Sequence, residues 1–248
     1  GPFGNHIGDW EHSLVRFYNG QPVILWMSAH GGGGAYLYQN IETPKTSKFI
    51  KPSEYIGEDQ PLIFSARGTH ANYPSTGQHA HDLPWSILND FTDRGPLWNP
   101  KMNYLAYTFD PSSDKLTYAN GSIPFREAEY GDWLLYDGTW GDPLLNETDP
   151  RQVWAPAPFE WRYIDGPTGP LTKHLERTSP CQRAKWWNFW NGCNVRRYIQ
   201  FGEGVFDQEG NNTCGHLYSS ISNKFIRWIV ELVTFGGWIC FFTDLFLG

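Results

Sequence analysis

Positive charge is the first shortage. The chain of 248 residues carries 19 Lys and Arg against 26 Asp and Glu, for a net charge of −7, and its basic residues are scattered. The electrostatic footprint of a nucleic-acid binder, clustered Lys and Arg, is therefore missing, and the acidic balance also argues against non-specific attraction to anionic membranes; neither argument excludes a local site. Signature motifs are missing too. No Gly-Lys-Ser/Thr follows the glycine run Gly31 to Gly34, no His-Glu-x-x-His occurs, and Ser28 lacks a Gly-x-Ser-x-Gly frame. These absences remove a phosphate-cradling loop, a zincin site and a nucleophile elbow. Long helical periods are absent before Thr172.

Cysteine is scarce, and all four lie in the last third: Cys181, Cys193, Cys214 and Cys240. None has the paired spacing of a zinc site, and an even number admits two disulfides. We expect Cys181 with Cys193 and Cys214 with Cys240. Three sequons, at Asn120, Asn146 and Asn211, point with them to a glycoprotein of the secretory pathway, either lumenal (in the vacuole, for example) or secreted. The chain does not begin with Met, and a leader removed or never included is expected before it. An uninterrupted apolar run is also lacking. Lys224 to Leu247 nears the roughly 20 residues a span requires. Arg227, Glu231 and Asp244 interrupt it, so a packed or interface-seeking helix that could touch a membrane surface is expected there.

What the chain has in excess is aromatic mass. Phe, Tyr and Trp make up 17% of it, 13 of them Trp. That load requires a packed body, and some of it can face sugars or lipids. Short apolar or alternating runs separated by Gly and Pro read as strands. Glu11 to Tyr18, then Asn19-Gly20, then Pro22 to Ser28 reads as a hairpin, with His12, Leu14 and Arg16 on one face and Ser13, Val15 and Phe17 on the other. Pro61 to Ala66, Asn103 to Phe109 and Trp133 to Tyr136 are further strand candidates, and Leu171 to Arg177 a short helix. The expectation is a mainly β fold, an antiparallel β-sandwich-like body over residues 1–180. A cysteine-bearing, partly helical and irregular C-terminal region follows over 181–248.

Chemistry-bearing side chains crowd the amino terminus. His6, Asp9 and Glu11 lie within six residues, and Asp9 and Glu11 share one face of an extended strand. Carboxylates converging this way repel unless a cation or proton lies between them, which points to a divalent ion, calcium, magnesium or manganese. His30 and His70 close candidate strands and would join them, giving His6, Asp9, Glu11, His30 and His70 as the expected ligands. Further downstream lie His79, His81, Asp82, Asp90, Asp93 and Arg94. Two bland alternatives stand beside this: each His satisfies a local turn carbonyl, or Asp9 pairs with Arg67 or Arg94 in a buried salt bridge.

The ordered motifs Gly4-Asn5-His6-Ile7-Gly8-Asp9-Trp10-Glu11-His12, Ser28-Ala29-His30-Gly31-Gly32, Gly68-Thr69-His70-Ala71-Asn72-Tyr73, Phe91-Thr92-Asp93-Arg94-Gly95 with Trp98, Gly138-Thr139-Trp140-Gly141-Asp142 and Gly166-Pro167-Thr168-Gly169-Pro170 resemble those of the vacuolar protein sorting-associated protein 62 family. The resemblance implies a role in delivery to the vacuole. Around Asp9-Trp10-Glu11 the chain is also similar to necrosis- and ethylene-inducing-like proteins. That likeness implies a cation held by His6, Asp9 and Glu11 at the edge of a β-sandwich and recognition of sphingolipid sugar heads. Ile7 and Gly8 stand where that family's heptad has Arg and His. The leading expectation is a metal-supported protein that binds a glycan or lipid head group. The alternative is a metal-dependent hydrolase, with His70 as general base and Arg94 assisting.

Overall fold

The computed structural model describes residues 3–51, 60–80, 89–113, 115–119, 131–156, 159–182, 193, 195–197, 199 and 224–233. The chain forms two compact units, each discontinuous in sequence: Gly1–Trp10 with Pro96–Thr178, and Glu11–Gly95 with Ser179–Gly248. The mainly β class holds. Among the described residues it is carried by one four-stranded sheet and four two-stranded antiparallel ladders.

In the second unit β1 (Ser13–Tyr18) turns at Asn19-Gly20 into β2 (Gln21–Ala29). Both turn residues have positive φ, 48° and 76°. This is the primed geometry whose twist matches the strands, and Asn-Gly adopts it at little cost. The two expected faces do not run the full length of β1. The register slips between Arg16 and Phe17, which leaves Val15 packed on the core and Phe17 65% exposed. The extra residue is Val23 on β2, where the ladder bends.

β2 continues antiparallel into β3 (Gly32–Leu37) through a two-residue turn at His30-Gly31. The glycine run Gly31 to Gly34 is therefore mostly strand. At Gly33 a Cβ would collide with the Met27 carbonyl and the Trp26 ring. Leu25, Met27, Tyr36 and Ile41 form the core beneath this sheet, with Tyr38 and Ile199 packed against it. β12 (Val195–Arg196) adds to β3 in parallel. Burial raises the pKa of the Tyr36 hydroxyl, and Arg196, whose guanidinium lies 5.9 Å from the Tyr36 ring, opposes the rise.

The expected Cys181–Cys193 disulfide is present, two residues before β12; the expected Cys214–Cys240 pair lies outside the described residues. A two-residue parallel strand has few hydrogen bonds of its own, so the covalent link beside it is expected to limit its opening. Reduction, or Cys193→Ser, is expected to speed amide exchange of Val195 and Arg196 by more than about tenfold, since closing so short a loop is worth on the order of 2 kcal/mol. Exchange within β1 to β3 should be unchanged. Equal loss along all four strands would show that the disulfide supports the whole unit instead.

Behind the sheet, β4 (Phe64–Ser65) pairs with β5 (Asn72–Tyr73), and β6 (Gly77–Ala80) with β7 (Asn89–Thr92). The strand expected over Pro61 to Ala66 is thus only its last part. In the first unit β8 (Tyr107–Asp110) pairs with β9 (Lys115–Tyr118), and β10 (Trp154–Ala155) with β11 (Glu160–Trp161). Gln152, buried beside them, pins three backbone groups: its Nε2 donates to the Leu145 and Tyr163 carbonyls, and its Oε1 accepts from Tyr163 N–H at 3.0 Å. Two sequence expectations are corrected in this unit. Gly131–Leu135 is a 3₁₀ segment, not a strand, and the short helix near Leu171 is a 3₁₀ turn over Pro170–Lys173. The only α-helix among the described residues, α1 (Lys224–Val233), has Phe225, Ile226, Trp228, Ile229 and Val233 exposed. No described helix is long and apolar enough to cross a membrane.

Candidate functional site

In the second unit, three polar side chains converge on one buried carboxylate. Asp90 is 2% exposed, on β7. Its Oδ2 accepts from His30 Nε2 and from the Tyr73 hydroxyl, both at 2.7 Å, and its Oδ1 accepts from Thr69 Oγ1 at 2.8 Å. Local backbone geometry aims these donors. His30 opens the β2–β3 turn with φ 53°, a position that usually takes glycine. Thr69 lies in the turn from β4 to β5, between Gly68 at φ 87° and His70 at φ 59°. The Arg67 N–H ties that turn to β7 through the Phe91 carbonyl.

Burial alone would raise the Asp90 pKa, but the hydrogen bonds from His30, Tyr73 and Thr69 and the His30 charge outweigh it and hold the carboxyl down at about 2. His79, opposite Asp90 across the ladder, stacks on Tyr73 with ring centroids 3.9 Å apart. Its Nε2 meets Thr92 Oγ1 at 2.7 Å, and that hydroxyl gives its proton to the Ser75 carbonyl, so Nε2 carries the imidazole proton. Burial pushes His79 down to about 4 against the opposing pull of Asp90 and Ser75. A second buried pair lies nearby: Arg94 Nη2 reaches Glu42 Oε2 at 2.8 Å, with its guanidinium 4.3 Å from the Phe49 ring centre.

The first unit gathers aromatics. Trp10 stacks on Trp133 at 5.9 Å and meets Trp140 edge-on at 5.3 Å, and Tyr136 meets Trp140 edge-on at 5.5 Å. Trp133 is 39% exposed and Tyr136 50%. Backbone crossings build this cluster. The Trp140 N–H bonds to the Pro167 carbonyl, Thr139 bridges Thr168, and Gly166 N–H bonds to the Asp142 carbonyl. A Cβ at Gly141 would strike the Ile7 carbonyl and one at Gly166 the Trp140 carbonyl, so both positions require glycine. Beside Trp10, His6 Nδ1–H donates to the Gly8 carbonyl at 2.8 Å, and its Nε2 lies 3.6 Å from Asp9 Oδ1.

The five expected ligands do not act as one set in either unit. His6 and Asp9 meet in the first. In the second, Glu11 accepts from the Ser28 hydroxyl, His30 serves Asp90, and His70 is an exposed turn residue engaged through its backbone. Arg94, assigned an assisting role from sequence, faces Glu42. Among the described residues no group of three or more His, Cys, Asp or Glu side chains is placed to hold a metal ion. Sequence reading passed over Thr69 and Tyr73 as functional groups and left Asp90 outside its ligand set. The motif Gly68 to Tyr73 carried the first two, but nothing in it said that they face a common carboxylate. His81 and Asp82 lie outside the described residues.

Fold and sites together define a mainly β protein with an aromatic cluster in one unit and a buried carboxylate network in the other. Its amino-terminal part, residues 1–103, matches the model of the family described as vacuolar protein sorting-associated protein 62. The chain is similar over its whole length to "Vacuolar protein sorting-associated protein 62" of Saccharomyces cerevisiae, at 53% identity across 53% of that protein. It is also similar over 99% of its length to TDA6 of the same yeast, a candidate vacuolar protein sorting-associated protein, at 48% identity across 54% of that one. The chain belongs to the vacuolar protein sorting-associated protein 62 family. It spans about half the length of these curated relatives. No solved structure matches it.

Proposed function

We propose that the chain serves vacuolar protein sorting as a binding protein that recognises the sugar face of a glycan, free or displayed as a lipid head group, on the platform of Trp133 and Tyr136. The observation that carries this reading is the exposure of both rings while Trp10 and Trp140 back Trp133 and Trp140 backs Tyr136. A ring braced on two sides loses little freedom when a ligand covers it, and the apolar face of a pyranose suits such a surface. Asp9 and His6, adjoining Trp10 in the chain, supply the polar groups that sugar hydroxyls require.

Intrinsic tryptophan fluorescence reads binding directly. Titration with an oligosaccharide panel, and with phosphatidylcholine vesicles with and without glycosylated sphingolipid, separates free glycan from head group. Binding in either arm is expected. Trp133→Ala should weaken it about tenfold, equivalent to about 1.4 kcal/mol of stacking. No binding in either arm, or undiminished binding by both Trp133→Ala and Tyr136→Ala, would overturn the proposal.

The second unit favours a different reading through one observation. Asp90 orients a half-buried imidazole, His30, as general acid–base sites do. On that reading the unit would carry hydrolytic chemistry, and His30→Gln would abolish turnover while leaving glycan binding intact.

A further inference from the structure

We infer that Asn146 is a site of N-linked glycosylation. Of the three sequons, Asn146-Glu147-Thr148 lies within the described residues, and all three of its residues are exposed. The turn is held from both sides. Asn146 Oδ1 accepts from the Thr148 N–H at 2.9 Å and from the Thr148 hydroxyl at 2.8 Å. The Asp149 N–H closes onto the Asn146 carbonyl, and Arg151 grips the Asp149 carboxylate through Nε and Nη2 at 2.9 and 2.8 Å. The carboxamide oxygen is thus engaged by the residue the sequon demands, while its Nδ2 donates no hydrogen bond among the described residues. A glycan on that nitrogen would break no contact of the folded unit and would extend into solvent.

A separate observation supplies the compartment. A disulfide joins Cys181 to Cys193, and such bonds form and persist where proteins are secreted or enter an oxidising lumen. The same compartment holds the lipid-pyrophosphate-linked oligosaccharide that donates the glycan. In the transfer Asn146 Nδ2 forms a bond to the anomeric carbon of the first sugar, the bond from that carbon to the pyrophosphate oxygen breaks, and the amide loses one proton. No oxidant or reductant takes part.

Peptide mapping of the full chain, purified from its own host, tests this. The expected result is a glycopeptide that contains Asn146 and that peptide-N-glycosidase converts to aspartate at that position. Asn146→Gln and Thr148→Ala should each lower the intact mass by one glycan, whereas Thr148→Ser should keep it. Because Thr148→Ala leaves the acceptor asparagine in place, loss of the glycan there separates sequon recognition from misfolding. An unmodified Asn146 peptide from the native protein, or a glycan retained in Thr148→Ala, would overturn the inference.

Discussion

Asp90→Ala is expected to destabilise the second unit by about 3–5 kcal/mol, the cost of removing one partner from a buried charged cluster. A small domain commands only about 5–15 kcal/mol in all, so the loss should be plain in urea unfolding followed by amide exchange along β5, β6 and β7. The reason is what remains. Thr69 Oγ1 and the Tyr73 hydroxyl would be left as donors facing a void, and His30 would keep its positive φ without the bond that fixes it. Each buried, unmet polar group adds its own desolvation cost. Tyr73→Phe and Thr69→Val remove one donor apiece from a charged acceptor and should cost about 1.5–3 kcal/mol each. An Asp90→Ala variant whose unfolding lies within about 1 kcal/mol of the parent would mean the network contributes little net stability, as some buried charged clusters do.

That network marks the limit of what sequence could deliver. Asn19-Gly20 between two alternating runs states a hairpin in local terms, and the hairpin is there. The motif order carries the family, because each motif builds one turn or crossing: His30 a tight turn, Gly141 and Gly166 two close backbone approaches. β7 is another matter. Asp90 and Thr92 are buried and Phe91 is 45% exposed, the inverse of the alternation by which a half-buried strand is recognised. Only long-range neighbours, Tyr73 and Thr69, explain why an acid points inward, and no local pattern encodes them. Trp133 to Tyr136 failed for a related reason. Four apolar residues, Trp133-Leu134-Leu135-Tyr136, fit a strand or a 3₁₀ turn equally well, and packing against Trp10 and Trp140 decides. The expectation that Asp9 and Glu11 share a strand face assumed an extended strand through them, and strand β1 begins only at Ser13.

Acid should weaken the second unit in two stages, and His79 sets the first. Its pKa is about 4 in the folded chain against an ordinary value of 6.5. Below pH 6.5 the unfolded chain takes up a proton that the folded chain refuses. Stability is therefore full above that value and falls as pH drops toward 4, by about 3 kcal/mol at 1.36 kcal/mol per pKa unit. Asp90 sets the second stage. Its carboxyl is held near 2 against 3.8, so its contribution persists through the first window and is lost between those two values, about 2 kcal/mol more. The groups facing His79 are Asp90 across the ladder and the Ser75 carbonyl, which favour the imidazolium, together with the Thr92 hydroxyl and the stacked Tyr73 ring; burial outweighs the first two. His79→Gln keeps a donor for Thr92 and cannot titrate. It should flatten the stability profile from pH 7 to 4 and leave the fall below 4 in place. A parent chain equally stable at pH 7 and 4.5, or a His79→Gln variant with the parent's slope, would mean that this imidazole accepts a proton in the folded state at no penalty. The first window matters most for the network, because His79 is the ladder partner of Asp90 and so sets a protonation-sensitive contact directly beside the carboxylate that organises the unit.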